Sequence, residues 1–148
     1  MGTSKIQGEL WGEAPRGWVE IQEPMHMPLW EAMLNATEVG SVTHFLDAGC
    51  GGGGASVLAA ERGAHVSGLD AAGGLIKFAR ERVSNGDFRV GDIESLPFED
   101  DAFDVVFAAN SVQYLGDRIA ALRELGRVCK PEGRIVAGLF GPPEKVVF

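Results

Sequence analysis

The sequence predicts an α/β fold: a mostly parallel sheet with helices on both faces, in a three-layer sandwich. Three observations predict it. Apolar strand-like runs alternate with segments of helical periodicity along most of the chain. A glycine run, Gly51 to Gly54, sits between one such strand and the next helix. The segment Phe103 to Ala109 (FDVVFAA) is almost wholly apolar and rich in β-branched and aromatic residues, as a strand buried on both faces must be.

The elements follow in order. Pro24 to Ala36 has helical spacing, with Leu29, Trp30, Met33 and Leu34 recurring on one side. Gly40 punctuates, and His44-Phe45-Leu46 is a short buried strand. Ala55 to Arg62 is helical and Gly63 is placed to end it. His65 to Leu69 is a second strand, closed by Asp70. Leu75 to Val83 is a helix with Leu75, Ile76, Phe78, Ala79 and Val83 on one side. Asp87 to Val90 and Phe103 to Ala109 are the third and fourth strands. Ile119 to Val128 is a helix whose expected inward face is Ile119, Leu122, Leu125 and Val128. The turn Lys130-Pro131-Glu132-Gly133 introduces a fifth strand, Arg134 to Phe140. The organisation expected is an N-terminal helical lid segment over residues 1–40 and a core over 41–148 that stops after the fifth strand.

Composition narrows the function. The chain has 148 residues, enough for one domain with its own core. Its formal net charge is −8, which would repel a nucleic-acid backbone or an anionic membrane surface. No apolar run reaches the ~18 residues of a membrane span, and the N-terminus lacks a signal-peptide core. Cys50 and Cys129 are too few for a disulfide framework or a cysteine-rich metal site. A cytoplasmic domain with reduced thiols is expected, and no metal site. Glu99-Asp100-Asp101 reads as a solvated turn.

Of the chain's 21 glycines, those at 49 and 51–54 form a loop between the first strand and the following helix. Such a loop brings bare backbone, and the amides of a helix N-terminus, close to a ligand. It lies at the carboxyl end of the strands, where open α/β sheets bind nucleotide-like ligands. Asp70, ending the second strand, offers two acceptor oxygens to the vicinal hydroxyls of a ribose. Two cofactor classes fit. Gly49, Gly51, Gly54 and Asp70 satisfy the dinucleotide pattern of an NAD-linked oxidoreductase. Asp47, two residues before the first glycine, would repel a pyrophosphate and suits a cation instead: S-adenosylmethionine (SAM), with its ammonium and sulfonium groups, has a ribose, an adenine and no phosphate.

The run Leu46-Asp47-Ala48-Gly49-Cys50-Gly51-Gly52-Gly53 resembles the first motif of the class I SAM-dependent methyltransferases. HVSGLDAAGGLIKFARER, GDIESLPFEDDAFDVVFAANSVQYLGD and LRELGRVCKPEGRIVAGLF are similar to the segments that follow it there, in the same order, so that the likeness spans residues 42–140. The resemblance implies a Rossmann-like sheet that lacks the last two of the family's seven strands. It implies transfer of a methyl group to a small-molecule acceptor; the alternatives are the NAD-linked reaction, or a SAM-binding module without catalysis. It also implies roles. Asp47 and the backbone of Gly49, Cys50, Gly51 and Gly53 would hold the methionine part. Asp70 would take the ribose hydroxyls and Ala71 would lie against the adenine. Asp92 would accept from the adenine amino group, with the Ile93 backbone at the ring edge. The Asn110 carbonyl would lie beside the methionine moiety. The N-terminal piece resembles the covering segment of the quinone- and metabolite-methylating branch, making Trp11, Trp18 and Gln22 lid candidates.

No general base stands out. His26 lies in the lid segment, while His44 and His65 begin strands at the far edge of the sheet. Gln113 and Tyr114, after the fourth strand, are candidates for contact with the acceptor. Cys50 is expected to have a lowered pKa at a helix start, yet it has no histidine partner and fits as a small filler. The exposed fifth strand could pair with a second copy of the chain.

Overall fold

The computed structural model describes residues 15–139. A helical turn (Pro15–Gly17) and a π-helical turn (Trp18–Gln22) lead into helix α1, Glu23–Ala36. Then come β1 (His44–Ala48), α2 (Gly54–Glu61), β2 (His65–Asp70), α3 (Gly73–Arg82) and β3 (Asp87–Val90). After them come β4 (Phe103–Ala109), a 3-10 turn (Val112–Tyr114), α4 (Arg118–Val128) and β5 (Cys129–Gly138).

The strands form one parallel sheet in the order β3-β2-β1-β4-β5. Chain order therefore reverses between β1 and β4, and the carboxyl ends of these strands flank a crevice. Side chains alternate across the sheet and build two cores. Phe45, Val66, Phe88, Val105 and Phe107 meet Trp30, Met33 and Leu34 of α1, Ala55 and Ala59 of α2, and Ile76 and Ala79 of α3. Leu46, Leu69, Val106 and Ala108 meet Ala121, Leu125 and Val128 of α4, with Ile93 and Leu96 beside them. The sheet thus has three helices on one face and one on the other.

Helix α1 belongs to this core, since its Trp30, Met33 and Leu34 are buried. The described part of the 1–40 segment is therefore packed against the sheet. Pro24 in the first turn costs nothing, because its missing N–H is one that a helix start leaves unpaired. The Thr37 hydroxyl donates to Met33 O at 2.9 Å, satisfying a carbonyl at the helix end.

Three expectations are corrected. The inward face of α4 is Ala121, Leu125 and Val128; Ile119 and Leu122 are 65% and 55% exposed. The small Ala121 lets the helix approach the sheet, which turns the bulkier pair outward. β5 begins at Cys129, before the expected turn. Phe103 pairs with Cys129 and Val105 with Arg134, so residues 130–133 bulge out of a ladder that continues on both sides. That strand ends at Gly138, and Phe140 lies outside the described residues. Leu29, expected on the buried side of α1, is 37% exposed.

No described helix is long and apolar enough to cross a membrane. His44 and His65 stand exposed at the amino ends of β1 and β2, their rings stacked 5.0 Å apart and remote from the crevice.

Candidate functional site

The crevice at the carboxyl ends of the strands holds a cavity of about 390 Å³, within the ~300–1,000 Å³ typical of small-molecule and cofactor sites. One end is walled by Asp70, Ala71, Leu75, Asp92 and Ile93; the other by Gln22, His26, Trp30, Asn110 and Tyr114. Gly49 and Gly51 also line it. No Lys or Arg lies on the wall among the described residues.

The glycine loop is tied down before any ligand arrives. The N–H groups of Gly49 and Cys50 both donate to Leu69 O, at 2.8 and 3.0 Å. Gly51 N donates to Asp70 Oδ2 at 2.9 Å, and Gly53 N to Cys50 O at 3.0 Å. The Gly54 amide donates to the Glu23 carboxylate. These amides bond within the protein, where the sequence led to an expectation of amides turned to the ligand. With these donors spent, the loop has few left with which to cradle a pyrophosphate as a phosphate-binding turn does.

The glycines serve packing as much as access. A Cβ on Gly49 would stand 2.4 Å from Ser111 Cβ, and one on Gly54 would stand 2.5 Å from the Trp30 ring. Gly53 is in the left-handed region (φ +87°), and a Cβ there would press on Ala79 at 3.0 Å. The run from Gly52 to Gly54 thus lets α1 and α3 close over the loop.

Asp70 ends β2 inside the crevice. Its Oδ1 accepts from Ala72 N at 2.9 Å and its Oδ2 from Gly51 N. Each carboxylate oxygen keeps a second lone pair, so the pair can still accept from two hydroxyls. Burial raises the Asp70 pKa against the pull of these backbone bonds. Asp92, also on the wall, takes Glu94 N on Oδ1 at 2.9 Å in a local turn, and its Oδ2 takes no hydrogen bond among the described residues.

Asp47, Cys50 and Gly53 do not line the cavity. Asp47 is 2% exposed and sits behind the loop, its Oδ2 accepting from Ser56 Oγ at 2.7 Å. Burial, with Asp70 and Glu23 nearby, pushes its pKa up to about 7. Burial likewise pushes the Cys50 thiol up, with Asp47 and Asp70 adding to the effect, so the helix start does not activate it. Asp47 thus ties the end of β1 to α2 rather than lining the cavity.

At the other end Asn110 holds φ +51° at the close of β4, its N–H donating to Gly138 O at 2.7 Å. Its Nδ2 lies 3.4 Å from His26 Nδ1, and its Oδ1 is a buried acceptor without a protein partner. Burial lowers the His26 pKa, which favours the neutral ring. The ring stacks on Trp30 at 5.9 Å. Gln113 does not reach the wall. Trp11 and the side chain of Trp18 lie outside what is described. Glu99-Asp100-Asp101 is a turn in which Asp100 pairs with Arg127 at 2.8 Å.

Sequence reasoning missed Glu23 and Arg82. The Arg82 Nη1 donates to both Glu23 carboxylate oxygens, at 3.0 and 2.9 Å, and to Gly52 O at 2.8 Å. No local cue joins the two, which lie 59 positions apart in the chain.

Residues 46–137 match the model of the methyltransferase domain family. The chain is 45% identical over 91 residues to a malonyl-[acyl-carrier protein] O-methyltransferase of Serratia marcescens, covering 62% of this chain and 36% of that one. It is 36% identical over 105 residues to a demethylmenaquinone methyltransferase of Thermotoga maritima, covering 70% and 46%. The chain thus spans less than half the length of these curated relatives. Among solved structures, geranyl diphosphate C-methyltransferase from Streptomyces coelicolor A3(2) superposes with a TM-score of 0.70 at 26% identity, over 76% of this chain and 45% of that one. That structure holds Mg2+, geranyl diphosphate and S-adenosyl-L-homocysteine. The family match runs from the middle of β1 almost to the end of β5 and takes in every wall residue contributed by the sheet and its loops; the chain belongs to the methyltransferase domain family.

Proposed function

We propose that the crevice binds SAM and that the domain serves methyl transfer to a small-molecule acceptor. One observation carries the reading: a nucleotide-sized crevice whose wall bears two carboxylates and, among the described residues, no Lys or Arg, beside a glycine loop most of whose amides are already spent. Such a site repels phosphate and attracts a cationic, phosphate-free nucleoside. The family match points the same way, so NAD-linked chemistry is not favoured.

The residues present fit this cofactor. Asp70 keeps two acceptor positions for a ribose diol. Ala71, Leu75 and Ile93 offer an apolar slot for an adenine, and Asp92 an acceptor beside it. The orphaned Asn110 Oδ1 is an acceptor suited to a ligand donor. Bound SAM supplies a methyl group on an already activated sulfonium leaving group. What the chain must add is position and exclusion of water, and orientation alone can contribute about 7–11 kcal/mol. Trp30 closes the floor of the crevice, while His26, Gln22 and Tyr114 face the space left for the acceptor. We place this activity in the cytoplasm, on the acidity and the reduced thiols.

Calorimetry with SAM, S-adenosylhomocysteine and NAD tests the reading. Binding of the first two and not the third is expected. Asp70→Ala should weaken S-adenosylhomocysteine by about 1.5–3 kcal/mol, the range for hydrogen bonds to a charged group. Binding of NAD alone would overturn the assignment, and an unchanged affinity would remove Asp70 from the site.

A further inference from the structure

The crevice does not use the Glu23–Arg82 pair, in which Glu23 is buried and Arg82 reaches in from the surface, yet the pair grips the loop that lines it. Glu23 opens α1 and is 5% exposed. Arg82, in the last turn of α3, reaches it with Nη1 and spends the same nitrogen on Gly52 O. The Glu23 carboxylate also accepts from the Gly54 amide. A Cβ on Gly52 would lie 3.1 Å from Glu23 Oε1, so loop and carboxylate are in direct contact. Three separate pieces of chain therefore meet at one point: the N-terminal helix, the glycine loop and the end of α3. Only the carboxylate is withdrawn from water, the Arg82 side chain remaining 31% exposed, so the pair is better evidence of specificity than of stability. What it specifies here is where the loop stands relative to α1, the helix that carries His26 and Trp30 to the cavity wall.

We propose that Glu23 and Arg82 are positioning residues that lock the N-terminal helix onto the glycine loop and so set affinity for the amino-acid half of the cofactor. The inference rests on the SAM reading above. On that reading the nucleoside half would be held by Asp70, Ala71 and Asp92, which the pair does not touch. The amino-acid half would be held by Gly49, Gly51 and Asn110, whose surroundings depend on the docked helix. Loss of the pair should therefore separate two ligands that a general loss of fold would affect alike.

The test compares S-adenosylhomocysteine with adenosine, by calorimetry and by competition on the full chain. Glu23→Ala and Arg82→Ala are each expected to weaken S-adenosylhomocysteine at least tenfold and to leave adenosine within twofold. The double variant should lose less than the two single losses combined, because the residues share one contact while each also holds the loop separately. Glu23→Gln, which keeps an acceptor for the Gly54 amide and for Arg82, should restore most of the affinity. If the alanine variants do not fold, Glu23→Gln and Arg82→Gln carry the test. Of these, Arg82→Gln should show the same split between the ligands. Unchanged affinity for both ligands, or equal losses for both, would overturn the proposal. A wild-type chain that binds neither ligand would overturn the cofactor reading first, a result distinct from any variant's.

Discussion

Asp47 shows at the scale of one residue how a motif can be legible while its role is not. The spacing from Asp47 to the glycines is plain in the sequence. Its direction is not, because that depends on Ser56 from the next helix and on the depth at which β1 lies. The result is a carboxyl buried behind the loop with its pKa raised to about 7 from an ordinary 3.8. A raised carboxyl holds its proton more tightly in the folded state. Its contribution to stability is therefore full below pH ~4 and lost as pH rises towards 7. Asp47→Asn keeps an acceptor for Ser56 and removes the charge. It should raise the melting temperature by roughly 5 °C or more at pH 8, since each kcal/mol moves a domain of this size by about 2–4 °C. Thermal melts between pH 4 and pH 8 should show the gap closing on the acid side; a constant gap would mean that Asp47 does not titrate in this range. Asn110 is the opposite case. Its place after the fourth strand was legible, but its left-handed backbone was not, because that follows from the bond between its amide and Gly138 on β5.

At the scale of elements, the third and fourth strands were readable to the residue: the fourth is a compact apolar run, and the third is a short alternating segment between turn signals. Helix α4 was misread for a physical reason. Hydrophobicity weighs Ile119 and Leu122 above Ala121, whereas packing against a sheet rewards the side chain that lets the helix come close. The Glu23–Arg82 contact was beyond reach, since a pair 59 positions apart has no local signature. The glycines make the same point and can be tested as a pair. Gly126 lies exposed in α4 and a Cβ there would meet nothing within 4 Å. Gly126→Ala should stabilise by about 0.5–1 kcal/mol in urea titrations. Gly54→Ala, with its Cβ forced to 2.5 Å from Trp30, should destabilise by about 1–3 kcal/mol, the usual cost of overpacking. Equal effects would mean that α1 is not seated on the loop.

At the scale of the whole molecule, the described residues leave one flank of the sheet open. Among the described residues no strand pairs with the outer edge of β5. Ile135 shares the register of Val106 and so faces the same side of the sheet as α4; it is 47% exposed. Ile119, Leu122 and Leu139 add exposed apolar surface to the same end of the chain. An apolar edge of this kind favours association. Sedimentation of the 148-residue chain should show self-association at tens of micromolar protein, and Ile135→Lys should shift it to monomer. A wild-type chain that stays monomeric at these concentrations would show that the edge is covered by other means.

The loop whose amides bind Leu69, Asp70 and Glu23 has a consequence for the timing of disorder. A segment that must be ordered by its ligand loses backbone entropy at the moment of binding, about 1–2 kcal/mol for each residue fixed. Here that loss is charged to folding, and the ligand meets a floor already set. Association should therefore be fast and single-phased, with little change in amide exchange at Gly49 to Gly54 when ligand is added. The burden moves to the empty protein: any change that loosens α1 returns the entropy to the loop, and the ligand must then supply it.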